Sequence, residues 1–415
     1  MSSSAPAIRQ TPPRDRTVVF VSTHCPVRNW AEKRLYDPLA DDFSLHSIFW
    51  DRSHLLSARG LEEAGRYRIA LHEFPNRLWG LGTLLQYFSF VFAELDRIQA
   101  SEGIDFVIAA DPDVLPPILW HRATRGLRYR VYREEVDFYA GSRGRGRGLK
   151  DRAKRITLDT IEALLHTQCD RIITLNRHAR DRLLGWGVPD RKIVVAGLWK
   201  KDEYYAGDRE AAKDELLRSG LVTAAHHAAL KDRVVISFLG LFYEFTHLRE
   251  LLDVVKDYPD DFALITAGKG ADLEVVEDAA RRHPNILFFG WIDEDDIKAY
   301  YKATDIVYQP LDPEENPNWK YFGSTNKTFE SLAAGCLFIG SNINERVDLN
   351  AQAEFSVPID FSRDIRTQLH ELLRAVRADR EFLRLRQRNA RRLFERYNHA
   401  EFTRIWRPLF EDASR

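Results

Sequence analysis

Lys327 and Glu330 stand three residues apart, behind Gly323, Ser324, Thr325 and Asn326 and ahead of Gly335. The order reads as a glycine-containing loop, a helix, a glycine stop and then an apolar strand at 337–341. Ser324 is a good N-cap, so the amides of Thr325, Asn326 and Lys327 are free to donate to a ligand. Free amides and the helix dipole suit an anion such as a diphosphate, and Lys327 adds a full positive charge. Glu330, about one turn on, can accept hydrogen bonds from a ribose diol. A diphosphate seat and a diol acceptor one turn apart are what a sugar nucleotide requires. Taken alone, Glu330 is by default a helix-surface glutamate.

Other residue types capable of chemistry lie upstream. His24 and Arg28 follow the first apolar segment, and Asp111 and Asp113 follow another. The Asp111/Asp113 pair has the spacing of a metal–diphosphate motif, but a turn and N-cap role is the plainer expectation. Glu134 and Glu135 end a third apolar segment, where a solvated pair is expected and one of them could face a cleft. Residues 141–155 hold seven Arg or Lys and one acid, with Arg143, Arg145 and Arg147 alternating with glycine. The expectations there are a solvated connector, or a contact to an anionic acceptor or membrane surface.

These residues need a scaffold. Short apolar runs at 17–22, 44–50, 66–71, 105–110, 130–133, 170–174 and 192–195 read as strands, with helices at 30–43, 78–98 and 179–186 among them. After a polar stretch at 200–232 the alternation resumes. Strands fall at 234–239, 262–267, 286–289, 305–309 and 337–341, and helices at 247–257, 273–282, 295–303 and 325–334. Continuous apolar strands between helices indicate parallel sheets covered on both faces. The strands end at or beside Gly240, Gly268, Gly290 and Gly340. The expected fold class is α/β, with two Rossmann-like domains facing a cleft. Residues 1–16 are a disordered lead-in, 17–200 the first domain, 201–395 the second, and 396–415 a terminal helix crossing back to the first.

Composition bounds the rest. Hydrophobic residues make up 44% and charged residues 30% of the 415, with net charge −1, so no global field recruits nucleic acid. Three dispersed cysteines argue against a disulfide framework or a zinc site. No signal peptide is read at the N-terminus, and 78–95 is too interrupted by polar residues to span a bilayer. A cytoplasmic protein is expected, peripheral at the inner face of a membrane if the basic run docks there.

The 321–340 segment resembles the donor-site motif of glycosyltransferase family 4, in which two glutamates eight residues apart precede a small-residue turn and an apolar strand. Glu330 matches the second glutamate, which in that family holds the ribose hydroxyls, and Gly323 the glycine at the phosphates. Gly240, Gly268 and Trp291 match the ends of the corresponding strands. The resemblance implies a sugar transferase that retains anomeric configuration, needs no metal and uses a UDP-, GDP- or dTDP-linked donor. Lys327 and Glu330 are then the catalytic machinery. Gly240, Gly268, Lys269, Trp291, Ile292, Gly323, Ser324, Thr325 and Asn326 complete the donor site. His24, Arg28, Asp111 and Glu134 are the acceptor-side candidates, and the acceptor is a saccharide, a lipid-linked sugar or a small molecule. No cofactor, metal or nucleic acid is expected.

Two departures stand out. Phe322 occupies the first glutamate position, which implies either a donor sugar with an apolar or deoxygenated face or a polar group reaching in from 316–321, the first being preferred. The run 241–247 lacks the Arg and Lys that usually neutralise the diphosphate. Both leave a non-catalytic partner subunit open as an alternative, and a sugar-nucleotide epimerase shares the architecture.

Overall fold

The computed structural model describes residues 16–24, 30–50, 58–75, 80–138, 148–312, 319–322 and 326–411. The first sheet contains β1 (Thr17–Ser22), β2 (Ser44–Phe49), β3 (Ile69–Glu73), β4 (Phe106–Ala109), β5 (Arg130–Glu135), β6 (Arg171–Thr174) and β7 (Ile193–Val195). Its spatial order is β3-β2-β1-β4-β5-β6-β7, and every pair is parallel. The second sheet contains β8 (Val234–Phe242), β9 (Phe262–Gly270), β10 (Ile286–Phe288), β11 (Ile306–Gln309), β12 (Leu337–Ser341) and β13 (Ser356–Ile359). Its order is β10-β9-β8-β11-β12-β13, again all parallel. This is the expected α/β class.

The strands are parallel because each β-to-β crossover is helical and buries both faces, which is why β1, β4 and β12 are buried throughout. In each sheet the chain moves outward from a central strand, returns, and then moves the other way. The resulting switch points lie between β1 and β4 and between β8 and β11. In open parallel sheets, ligands bind beyond the carboxyl ends of the strands at such a point.

Some local expectations are corrected. β8 and β9 run past Gly240 and Gly268, and the two glycines face each other in register. A Cβ on Gly268, at φ 147°, would lie 1.7 Å from the Gly240 carbonyl oxygen, so glycine there permits strand contact. Helix Arg209–Arg218 and helix Ala224–Leu230 occupy the polar stretch, each started by a side-chain cap from Asp208 or Thr223. Strand β13 has no counterpart in the sequence reading. β3 begins three residues later than expected, after helix Ala58–Tyr67.

Helices His399–Trp406 and Pro408–Glu411 lie against the first sheet. The Trp406 indole donates to the Leu35 carbonyl at 3.1 Å, and Phe410 packs on Phe43, Phe106 and Tyr132. Among the described residues no helix is long and apolar enough to cross a membrane. Helix Leu81–Ser101 buries Tyr87, Val91, Leu95 and Ile98 at helical spacing and leaves Leu81 and Leu85 exposed.

Candidate functional site

Helix Asn326–Ala334 connects β11 to β12, so it starts at the carboxyl edge of the second sheet beside the switch point. Residues Thr328 to Ala334 are all buried, because the helix is covered by β11, β12 and helix Arg380–Phe394. Glu330 is therefore only 5% exposed, not the helix-surface residue its position suggested. Its Oε1 lies 3.1 Å from Lys200 Nζ and its Oε2 3.0 Å from Lys327 Nζ. Burial alone would raise its pKa, but Lys327 and Lys200 outweigh that and hold it down at about 2. Tyr301 lies beneath Lys327, whose Nζ is 5.6 Å from the ring centre, and burial beside Glu330 keeps the phenol neutral.

A third cation flanks the helix start. Arg346 is buried, with Nε 3.3 Å from Thr328 Oγ1, Nη1 3.3 Å from the Ser341 carbonyl oxygen and the guanidinium over Phe338. Burial lowers its pKa to about 9. Lys327 and Arg346 thus flank the first turn and Lys200 pairs with Glu330 in the second, where the 241–247 run supplies no cation. Lys327, 16% exposed at its side chain, is the one with access to solvent. Sequence reasoning missed Lys200 and Arg346. Lys200 sits in the connector between the sheets, with no local motif, and Arg346 follows β12 on a helix that shows no basic pattern.

Gly240 and Gly268 lie on adjacent strands at the same edge. Beyond them Trp291 is 64% exposed and carries Lys269 Nζ 4.8 Å from its ring centre, while Ile292 is half-buried beside them. An indole so exposed is a surface wall rather than a core residue. The run lacking Arg and Lys instead supplies aromatics: Tyr243 stacks on Phe245, which packs on Trp319. The Asn326 side-chain carbonyl oxygen is buried and has no hydrogen-bond partner among the described residues. Gly323, Ser324, Thr325 and Arg28 lie outside the described residues, as do Arg143, Arg145 and Arg147.

Phe322 does not fit the expected apolar wall for a sugar. It is buried against Phe138 of the first domain, ring centres 4.7 Å apart. The Arg182 guanidinium stacks on Phe138 and on Tyr321 at 4.5 and 4.7 Å. The side-chain amide of Asn176 donates to the Tyr321 carbonyl and to Glu345 Oε2 at 2.5 and 3.0 Å, and His178 lies 2.7 Å from Asp348. The short helix Trp319–Phe322 therefore turns Tyr321 and Phe322 into a clasp between domains, and the inference of a deoxygenated donor loses its basis.

At the first switch point, the loop after β1 meets the loop after β4. Asp111 Oδ2 accepts from the Thr23 amide at 2.5 Å and from Thr23 Oγ1 at 2.9 Å, and lies 3.3 Å from His24 Nδ1. Burial opposes the charge of Asp111, but the His24 ring and the Thr23 amide hold its carboxyl well below the usual range. Asp111 occupies the N-cap position of a short turn yet does not cap it with its side chain. Glu134 and Glu135 are the last residues of β5 and are buried, which overturns the expectation of a solvated pair. Glu134 accepts from Arg34 at 2.6 Å, and Glu135 pairs with His166 and Arg133. Burial raises the Glu134 pKa.

Residues 233–375, about a third of the chain, match the family model described as Glycosyl transferases group 1. An uncharacterized glycosyltransferase of Methanocaldococcus jannaschii is 22% identical over 190 residues, 44% of this chain and 43% of that relative, so less than half of it is spanned. Sucrose-phosphate synthase of Thermosynechococcus elongatus superposes with TM-score 0.68 at 12% identity, covering 95% of this chain and 100% of the other. Anabaena HepE in complex with UDP-glucose gives TM-score 0.67 at 13% identity, covering 95% and 99%. The fold is that of the two-domain glycosyltransferases, and the group 1 match falls on the domain that carries helix Asn326–Ala334.

Proposed function

We propose that this chain transfers a sugar from a nucleoside-diphosphate sugar, bound by the second domain, to an acceptor bound by the first. The observation that carries the reading is the start of helix Asn326–Ala334, inside the matched region and at the second switch point, with Lys327 on its first turn, Arg346 against Thr328 and, from the connector outside that region, Lys200 against Glu330. When the bond from the sugar to the diphosphate breaks, negative charge grows on the leaving oxygen. Helix amides and Lys327 stabilise it directly, and the two buried cations add their field. That assignment needs no metal ion.

In this reading Lys327 exchanges partners. Without donor it neutralises Glu330, and with donor it turns to the diphosphate. Glu330, still paired with Lys200, then has lone pairs for the ribose diol, since a carboxylate offers about four acceptor sites. Trp291, Ile292 and Lys269 form the wall against the base. The HepE complex with UDP-glucose and the likeness to sucrose-phosphate synthase favour a nucleotide-sugar donor of this kind.

We also propose that the acceptor side meets an anionic lipid surface. Helix Leu149–Thr167 exposes Leu149 (85%), Ile156, Ile161 and Leu164, with Lys150, Arg152, Lys154 and Arg155 about them. An apolar row flanked by bases suits the interface of an anionic bilayer. The donor reading is tested by stabilisation with UDP, GDP, ADP and dTDP. A ligand at 100 times its dissociation constant stabilises by about 2.7 kcal/mol.

A further inference from the structure

We infer that Asn176, on the first domain, is a positioning residue for the donor's diphosphate: it reaches across to the second domain and fixes the two segments that border the start of helix Asn326–Ala334. The inference rests on the nucleotide-sugar reading and adds to that site a residue that the donor motif does not contain. Asn176 is 3% exposed and lies just past the carboxyl end of β6, ahead of helix Arg177–Gly185. Its side-chain carbonyl oxygen accepts from the Ala179 amide at 2.9 Å and so caps that helix. The cap fixes which end of the side chain is which, because only the oxygen can accept there. The side-chain nitrogen must then face the other way. Its two hydrogens meet two acceptors of the second domain, the Tyr321 carbonyl oxygen at 2.5 Å and Glu345 Oε2 at 3.0 Å.

Both acceptors belong to segments beside the diphosphate seat. Tyr321 and Phe322 lie five and four residues ahead of Asn326 in the chain. Glu345 adjoins Arg346, whose Nε is 3.3 Å from Thr328 Oγ1 in the first turn of helix Asn326–Ala334. The Glu345 carboxylate favours the charged form of Arg346, which burial opposes. Neighbouring contacts strengthen the grip. Arg177 and His178 pair with Asp348 on helix Asn344–Gln352, the helix that carries Glu345 and Arg346. The Arg182 guanidinium stacks on Tyr321, and Phe322 packs on Phe138. Position 322, where the resemblance places a glutamate, is thus given over to holding the two domains together.

A diphosphate that needs Lys327 and Arg346 in place binds the molecules in which this grip is made. Its apparent affinity therefore falls in proportion to the fraction of chains that hold it. Asn176→Asp separates this role from helix capping. Aspartate caps a helix start about as well as asparagine does. It offers only acceptors, so it sets a carboxylate against the Tyr321 carbonyl and the Glu345 carboxylate, where asparagine donates to both.

The test is calorimetry of the full chain with UDP, GDP, ADP and dTDP, paired with hydrogen exchange in the absence of nucleotide. The nucleotide that binds wild type should bind Asn176→Asp about tenfold more weakly, within the range of site-to-site coupling, while urea unfolding stays cooperative. Adding Glu345→Gln gives the new carboxylate a donor amide and should recover most of the loss. Exchange in Asn176→Asp should quicken in peptides covering Trp319–Phe322 and Asn344–Gln352 and stay unchanged in β1, β4 and β5. Wild-type affinity in Asn176→Asp, no recovery on adding Glu345→Gln, or unchanged exchange in those two peptides would overturn the assignment. Failure of all four nucleotides to bind wild type, with the exchange result intact, would leave Asn176 as a contact between domains and remove the donor reading together with the positioning role.

Discussion

Replacing Glu330 by Gln keeps the side chain's shape but removes the carboxylate charge that Lys200 and Lys327 share. The magnitude follows from the site. Glu330 titrates at about 2 instead of its ordinary 4.5, which corresponds to about 3 kcal/mol of preference for the charged form in the folded chain. Breaking a buried ion pair by removing one partner costs about 3–5 kcal/mol, the same range. The sign is fixed by the depressed pKa. The stabilisation is fully present above pH 4.5 and is lost as pH falls toward 2. Urea unfolding of wild type and Glu330→Gln, followed by tryptophan fluorescence at pH 7 and stepwise down from pH 5, measures it. The variant should be less stable by about 3 kcal/mol at pH 7, and the gap should close as acid protonates the wild type. A gap below about 0.5 kcal/mol at pH 7 would refute the Lys200–Glu330–Lys327 unit as a stabilising cluster.

Other outcomes follow from the same geometry. Sugar transfer should persist in excess EDTA, because helix amides and Lys327 carry the leaving-group charge. Loss of activity that Mn²⁺ or Mg²⁺ restores would contradict this. Reversing Lys150, Arg152, Lys154 and Arg155 to Glu should abolish co-sedimentation with phosphatidylserine vesicles without altering nucleotide affinity, and 0.5 M salt should weaken wild-type binding. Equal sedimentation of both proteins would remove the membrane reading. Phe322→Ala should lower stability by about 3–5 kcal/mol, the cost of truncating a packed ring, yet leave the choice among donor sugars unchanged. A changed sugar preference measured with epimeric donors would return Phe322 to the donor pocket.

The two-sheet architecture was legible because parallel strands buried on both faces write themselves as short apolar runs, as at 17–22 and 337–341. The start of helix Asn326–Ala334 was legible because glycine, small polar and basic residues cluster there. Burial was not. Glu330 looked solvent-facing because its partner Lys200 lies far away in sequence, and only the fold brings them together. Glu134 and Glu135 looked solvated for the same reason, since Arg34, Arg133 and His166 come from other elements. Phe322 looked like a sugar contact because its motif position was read without Phe138, which packs on it from the other domain. Helices in the 200–232 stretch were missed because Asp208 and Thr223 begin them by capping, not by apolar periodicity.

The central claim is that a nucleoside diphosphate binds at the start of helix Asn326–Ala334. Titration calorimetry of the full chain with UDP, GDP, ADP and dTDP, repeated on Lys327→Ala, tests it most directly. The account predicts that one of the four binds wild type, and that Lys327→Ala weakens it by about 1.5–3 kcal/mol, the contribution of a hydrogen bond to a charged group. Binding of none of the four, or equal binding by wild type and Lys327→Ala, would contradict it.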